Sequence, residues 1–209
     1  DFIVAPEHDS IKGQNVISTK GSIHYLTDEE ITKNRDYLNS FVKKDYRKIC
    51  SLILGGPTKY YDYSSENMEN IFSNLNNLLK KNDLQLVVIP SMRTPKNSID
   101  YAKKYFGENH TIIDNVDKKA YLSALSISNC VVVTCDSSSI ISEAALTGKP
   151  IYVANILPRK NDKRFREFKN LFRELNIIRN LGEDEENWNY QKLDETNRVA
   201  NIIKQKINS

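Results

Sequence analysis

The stretch Val131-Val132-Val133-Thr134-Cys135-Asp136-Ser137-Ser138-Ser139-Ile140-Ile141-Ser142-Glu143-Ala144-Ala145-Leu146-Thr147-Gly148-Lys149-Pro150-Ile151-Tyr152-Val153 decides how this chain is read. Val131 to Thr134 is a short, continuous apolar run of the kind buried on both faces of a sheet. Small polar residues follow at its end. Ile140 to Thr147 reads as a helix, Gly148 stops it, and Ile151 to Val153 is the next strand. A strand, a hydroxyl-rich turn, a helix and a second strand form one unit of an α/β fold.

The same rhythm extends outward in both directions. Upstream, Ile49 to Leu54 reads as a strand, followed by an amphipathic helix over Ser65 to Lys81 with Ile71, Leu75, Leu78 and Leu79 on one face. Leu84 to Ile89 is a strand, Ser98 to Phe106 a helix, Thr111 to Ile113 a short strand and Lys118 to Ser128 a helix. Downstream, Arg164 to Leu175 and Thr196 to Ile207 are helices. Five strands alternating with helices predict a Rossmann-like, doubly wound parallel sheet covered on both faces. Ahead of it lie two short strand-like runs, Phe2 to Val4 and Val16 to Ser18. A helix start follows at Thr27, where Glu30 completes a capping box. The polar stretch Lys43 to Arg47 marks the expected boundary between residues 1–45, a linker with the remnant of a preceding domain, and the regular domain of residues 46–209. The abrupt opening at Asp1-Phe2-Ile3 suggests that this preceding part is missing.

Composition narrows the class. The chain has 209 residues, 39% hydrophobic and 27% charged, which suits a globular domain with a sizeable core. A net charge of +3, with most bases scattered, does not call for nucleic acid. Cys50, Cys130 and Cys135 show no paired or C-x-x-C spacing and read as reduced thiols of a cytoplasmic protein. No apolar run approaches the roughly 18 residues of a membrane span, and no signal peptide is visible.

In an open α/β sheet, ligands bind beyond the carboxyl ends of the strands. Three such loops carry chemistry. Gly55-Gly56-Pro57-Thr58-Lys59 has two glycines that let a backbone approach a ligand, though a plain turn reads equally well. Ser91-Met92-Arg93-Thr94-Pro95 offers Arg93 for a phosphate fork, or leaves it in solvent. Asp136-Ser137-Ser138-Ser139 opens a helix whose free N–H groups and dipole suit a pyrophosphate, with Glu143 about one turn on and in reach of two ribose hydroxyls. The alternative there is ordinary N-capping, with Glu143 as a favourable early acid. His8 is a candidate general base, or part of an Asx-type turn with Asp9. His24 and His110 read as structural. The basic run Arg159 to Arg166 is a solvated helix start, with contact to anionic lipid head groups as its sharper reading. Glu183 to Glu186 reads as a solvated acidic loop. No metal-ligating cluster is present.

Four segments, in order, resemble the mitochondrial-fission ELM family, GT-B-like proteins of plants and many bacteria. Thr134 to Ile151 is similar to its "TxDSxSMxSEAxxTGKPV" signature. Pro6-Glu7-His8-Asp9 with Gly13-Gln14-Asn15-Val16 is similar to "PxHDxxxGxNV". Leu54-Gly55-Gly56-Pro57 matches its Gly-Gly loop, and Ser91 to Pro95 is similar to "SRRTP", with Met92 in place of the first Arg. The resemblance implies the C-terminal half of a GT-B architecture. Such a half holds a nucleoside-diphosphate sugar through Gly55, Gly56, Arg93, Thr94, Asp136, Ser137, Ser138 and Glu143, with no metal or cofactor. It implies a glycosyltransferase with an acceptor-side domain preceding this one. The alternative is a non-catalytic adaptor that recruits partners at a membrane surface, as the plant relatives are thought to do. A generic dinucleotide enzyme fits less well, because G-x-G-x-x-G is absent.

Overall fold

The computed structural model describes residues 1–183 and 188–208. In chain order the elements are β1 (Ile3–Pro6), β2 (Val16–Thr19), α1 (Asp28–Lys33), β3 (Lys48–Leu54), α2 (Ser65–Lys81), β4 (Leu84–Pro90), α3 (Lys96–Phe106), β5 (Thr111–Ile112), α4 (Lys118–Ile127), β6 (Cys130–Thr134), α5 (Ser138–Ala145), β7 (Ile151–Ala154), α6 (Lys163–Glu174), β8 (Ile178–Asn180) and α7 (Glu195–Asn208). Six strands form one parallel sheet in the order β5-β4-β3-β6-β7-β8. Counted from β3, this is the 3-2-1-4-5-6 order of a doubly wound Rossmann-type sheet. The winding reverses between β3 and β6, which pair from Cys50↔Cys130 to Ile53↔Val133.

The expected strands are all present, and one was not anticipated. β8 is only three residues long, and Arg179 and Asn180 interrupt its apolar pattern. It forms because it pairs with β7, a tertiary contact without a local signal. The span Thr27 to Lys44 holds two short helical pieces. α1 ends at Lys33, and a 3-10 helix runs over Arg35–Ser40. The cap at Thr27 is as expected, its side chain accepting from the Glu30 N–H. The acidic run falls partly on 184–186, outside the described residues.

The core is built from the sheet and the helices that cover it. β4 is buried along its whole length, and β6 likewise. α2 presents Met68, Ile71, Phe72, Leu75, Leu78 and Leu79 inward, the three-and-four spacing of one helix face. Burying each such side chain contributes about 1.5–3 kcal/mol. Ser64 caps the helix by accepting from the Asn67 N–H. Gly148 ends the turn after α5 at φ +71°, a conformation that a side chain disfavours.

Residues 1–45 are tied to the helices. β1 and β2 form a separate two-stranded parallel pair. The Lys20 N–H donates to Glu195, and His24 exchanges two hydrogen bonds with Thr196, fixing the segment to the start of α7. The Ser22 N–H donates to Ser142 of α5, and the Leu38 N–H to Ser123 of α4. Around these ties Phe2, Ile3, Ile11, Ile23 and Tyr25 remain exposed.

Lys149, of the Gly148-Lys149-Pro150 turn, has a structural task. Its ammonium donates to the carbonyls of Leu125 (2.7 Å) and Ser126 (2.5 Å) at the end of α4, where a cation opposes the negative end of the helix dipole. Burial, reinforced by Arg35 and Lys192, pushes its pKa down to about 8. The folded chain therefore holds fewer protons than the unfolded one between about pH 8 and the ordinary lysine range, and stability from this group rises with pH across that window. We expect the unfolding free energy of the wild type, relative to Lys149→Met, to increase from pH 8 to pH 10. Denaturant titrations at several pH values check this. A difference independent of pH would show that Lys149 is not perturbed.

Candidate functional site

The carboxyl ends of β3, β4 and β6 meet at the switch point. Their connecting loops are held together by one buried carboxylate. Asp136, two residues beyond β6, has no exposed side-chain surface. Its Oδ2 accepts from the Gly56 N–H (3.0 Å) and from the Arg93 guanidinium (2.8 Å), and its Oδ1 from the Tyr63 hydroxyl (2.5 Å). The Tyr63 oxygen accepts in turn from the Thr134 hydroxyl (2.8 Å), whose oxygen accepts from the Gly55 N–H (2.8 Å). Arg93 donates a second time to the Gly56 carbonyl (2.9 Å). Thr94 Oγ1 lies 2.6 Å from the Gly55 carbonyl and 2.8 Å from that of Leu54.

Gly55, Gly56, Arg93, Thr94 and Asp136, picked from three separate loops, are thus brought together. The glycines are needed for closeness. A Cβ on Gly55 would lie 2.2 Å from Asp136 Oδ2, and one on Gly56 would lie 2.0 Å from the Arg93 carbonyl oxygen. Asp136 is enclosed by protein donors, so it positions Arg93 and the glycine loop and does not face a ligand. Arg93 keeps 42% of its side-chain surface in water with two of its five donors' roles filled here. Tyr63 was not singled out in the sequence. Burial first, then the Asp136 charge, push its pKa well up, so its proton stays in place.

α5 begins two residues after Asp136. Ser137 is its N-cap, accepting from the Ile140 N–H. The first N–H groups of a helix have no intrahelical partner, so those of Ser138 and Ser139 are left to water or a ligand. Glu143 lies further along α5 and accepts from the Tyr121 hydroxyl of α4 at 2.5 Å. No hydrogen bond joins it to the Asp136 cluster among the described residues. Burial raises its pKa, against the Tyr121 bond and the His24 charge, which lower it. Tyr121 could not be foreseen: it is an apolar-face residue of α4 until α5 packs beside it.

His8 is in a 3-10 turn over Glu7–Asp9. Its side chain is 4% exposed and meets the Phe168 ring edge-on at 5.5 Å. Burial above all lowers its pKa and keeps the ring neutral. The neighbouring Asp9 pairs with Arg164 of α6 at 2.7 Å. An enclosed ring beside such a clamp anchors the turn to α6. His24 is fixed by its backbone, and His110 accepts from the Leu86 N–H. The basic run is largely compensated: Arg159 pairs with Asp62, Lys163 with Glu167, Arg164 with Asp9 and Arg166 with Asp162. No helix among the described residues is long and apolar enough to cross a membrane.

The family profile "Mitochondrial fission ELM1" matches residues 1–207. The chain belongs to the mitochondrial fission ELM1 family. It is 27% identical over 212 residues to the uncharacterized protein RP120 of Rickettsia prowazekii, covering 95% of this chain and 57% of that one. It is 25% identical over 198 residues to the mitochondrial fission protein ELM1 of Arabidopsis thaliana, covering 92% and 46%. The chain therefore spans about half the length of these relatives. Among solved structures it is similar to UDP-GlcNAc 2-epimerase of Methanocaldococcus jannaschii, in complex with UDP-GlcNAc and UDP. The TM-score is 0.52 at 15% identity, covering 95% of this chain and 57% of that one. It is similar also to S. aureus MnaA with UDP, at TM-score 0.51 and 18% identity, covering 91% and 46%. At such identities the likeness concerns the fold, which is GT-B and Rossmann-like.

Gly56 gives the sharpest test of this packing. Relieving its clash would require the Arg93 backbone to move, and overpacking of this kind costs about 1–3 kcal/mol. Gly56→Ala should lower the urea midpoint accordingly, and a variant as stable as the wild type would mean that the two loops are not in contact.

Proposed function

We propose that this chain binds a nucleoside-diphosphate sugar at the carboxyl edge of its sheet and serves a GT-B-type transfer of the sugar to an acceptor. The observation that carries the reading is what converges at the switch point: a glycine loop without Cβ atoms, the part-exposed Arg93 and the open first turn of α5. Arg93 and the first turn of α5 can present N–H donors to an anion, the glycine loop leaves room beside them, and a sheet of this winding takes its ligand at this place. The ligands of the two similar structures, UDP and UDP-GlcNAc, support a uridine nucleotide as the first donor to try.

In this reading the diphosphate accepts from the Ser138 and Ser139 N–H groups and from Arg93. As the sugar leaves, charge grows on the diphosphate, and the helix end and the guanidinium stabilise it in place of bulk water. Asp136 and Tyr63 hold Arg93 and the glycine loop in position beforehand. Glu143 accepts from the two ribose hydroxyls, with Tyr121 fixing one of its oxygens and leaving the other for the sugar. The nucleotide requires no metal in this scheme. The acceptor side belongs to the preceding domain that the family resemblance implies.

Glu143 separates this reading from simple helix capping. Gln keeps the shape and still accepts from Tyr121, but removes the charge. Binding of UDP should weaken by about 1.5–3 kcal/mol, the range for hydrogen bonds to charged groups, or roughly ten- to a hundredfold. The melting temperature should not fall, because a buried carboxylate is exchanged for a neutral amide. Calorimetric titration of UDP into both proteins, with thermal melts, checks both halves. Equal affinities remove Glu143 from the site. If UDP, GDP and ADP compounds all fail to bind the wild type, the adaptor reading takes its place.

A further inference from the structure

The opposite edge of the sheet carries a feature that nucleotide binding does not use. Ahead of β3 the chain runs Lys43-Lys44-Asp45-Tyr46-Arg47-Lys48. Tyr46 is fully exposed and sits at φ +61°, a left-handed conformation that is an outlier for a bulky residue. Such a conformation persists only where its surroundings impose it. Here they do. Arg47 Nε donates to Asp45 Oδ2 (2.8 Å), and the Arg47 N–H to the Asp45 carbonyl (2.8 Å). From beneath, the buried amide of Gln85 donates to the Lys43 carbonyl, the Arg47 carbonyl and Asp45 Oδ1, at 3.2 to 3.3 Å. A buried polar side chain is thus committed to holding a turn whose tip is an aromatic ring in water.

Register places a second set of cations beside it. Lys48 is the pairing partner of Leu84, so the turn from α2 into β4, with Lys80 and Lys81, adjoins the Tyr46 turn. Lys43, Lys44, Lys48, Lys80 and Lys81 are all exposed. With Arg47 these two turns hold six cations against two carboxylates, Asp45 and Asp83, an excess of four where the whole chain has an excess of three. The charge of the protein is therefore gathered at this edge. The field reaches His110, whose pKa is lowered by burial first and then by Arg47 and Lys43.

We infer that this edge, with Lys43, Lys44, Lys48, Lys80 and Lys81 around the projecting Tyr46, is a docking surface for an anionic lipid bilayer. The chemistry favours a bilayer over an acidic peptide. The exposed lysines are spread over two adjoining turns, and the tyrosine at the tip of one of them stands fully in water. Its cations are lysines, compact point charges suited to a diffuse anionic surface, and its one arginine is already engaged with Asp45. A tyrosine, apolar in its body and polar at its tip, suits the head-group layer. The seven residues of β3 put this edge about 20 Å from the switch point, so docking here leaves the nucleotide crevice open to solution.

Co-sedimentation of the full chain with vesicles tests this. We expect binding to phosphatidylcholine vesicles containing phosphatidylglycerol, little to phosphatidylcholine alone, and a decline with added salt. Each lysine should account for about fivefold in partitioning, so the quadruple variant Lys43→Gln, Lys44→Gln, Lys80→Gln, Lys81→Gln should lose nearly all binding. Tyr46→Gly separates docking from folding. It relieves the positive φ, so its melting temperature should hold or rise while partitioning falls severalfold. No binding to the anionic vesicles, equal binding by the quadruple variant, or equal binding to neutral vesicles would overturn the inference. So would retention of the protein by polyglutamate or a single-stranded oligonucleotide in preference to vesicles.

Discussion

The Asp136 carboxylate is the constraint on which the carboxyl edge of the sheet depends. It has no access to water, so its two oxygens must find donors within the protein. It finds three, from two other loops: the Gly56 N–H and the Tyr63 hydroxyl after β3, and the Arg93 guanidinium after β4. Removing one partner of such a group would leave a buried polar atom unpaired, at a cost of about 1–3 kcal/mol or more for a charged one. The loops after β3, β4 and β6 are consequently a single unit. Their mutual position is set by one carboxylate and by two glycines that leave it room.

That unit sits where the winding of the sheet reverses. Because β3 pairs with both β4 and β6, the connections leaving it and β6 go to opposite directions of the sheet and open a crevice between them. The open turn of α5 and the part-exposed Arg93 give the crevice its donors. Glu143 and Tyr121 join α4 to α5 further along. Positioning and contact are divided between residues here. Asp136, Tyr63 and Thr94 face inward and hold the frame, while Arg93 and the first residues of α5 remain available.

The two edges of the sheet differ in chemistry for a reason that lies in the fold. All strands run the same way, so every strand end with its helix start lies on one edge, and every strand start with its helix end on the other. Free N–H groups collect on the first. On the second, lysines at the end of α2 oppose its negative dipole and join the turn before β3. Lys149 meets the end of α4 in the same way but from a buried position, where its charge is costly. A crevice lined by helix starts and a lysine-rich rim are thus opposite faces of one topology.

The sequence by itself determined the architecture and most of the residues that meet at the switch point. Continuous apolar runs separated by amphipathic segments can be satisfied only by a parallel sheet covered on both faces. Gly55-Gly56, Arg93-Thr94 and Asp136-Ser137-Ser138 stood out because each follows such a run. What those residues do was settled by tertiary structure. Arg93 and Asp136 are 43 positions apart, and nothing local says that one neutralises the other. Tyr63 and Tyr121 have no motif around them and gain their roles only when Asp136 and Glu143 are packed against them. His8 was legible as a polar residue in a turn, but its enclosure by Phe168 depends on where α6 falls. β8 and the φ of Tyr46 follow the same rule. Hydrophobic period is written in neighbours along the chain, whereas burial, pairing and strain are set by neighbours in space.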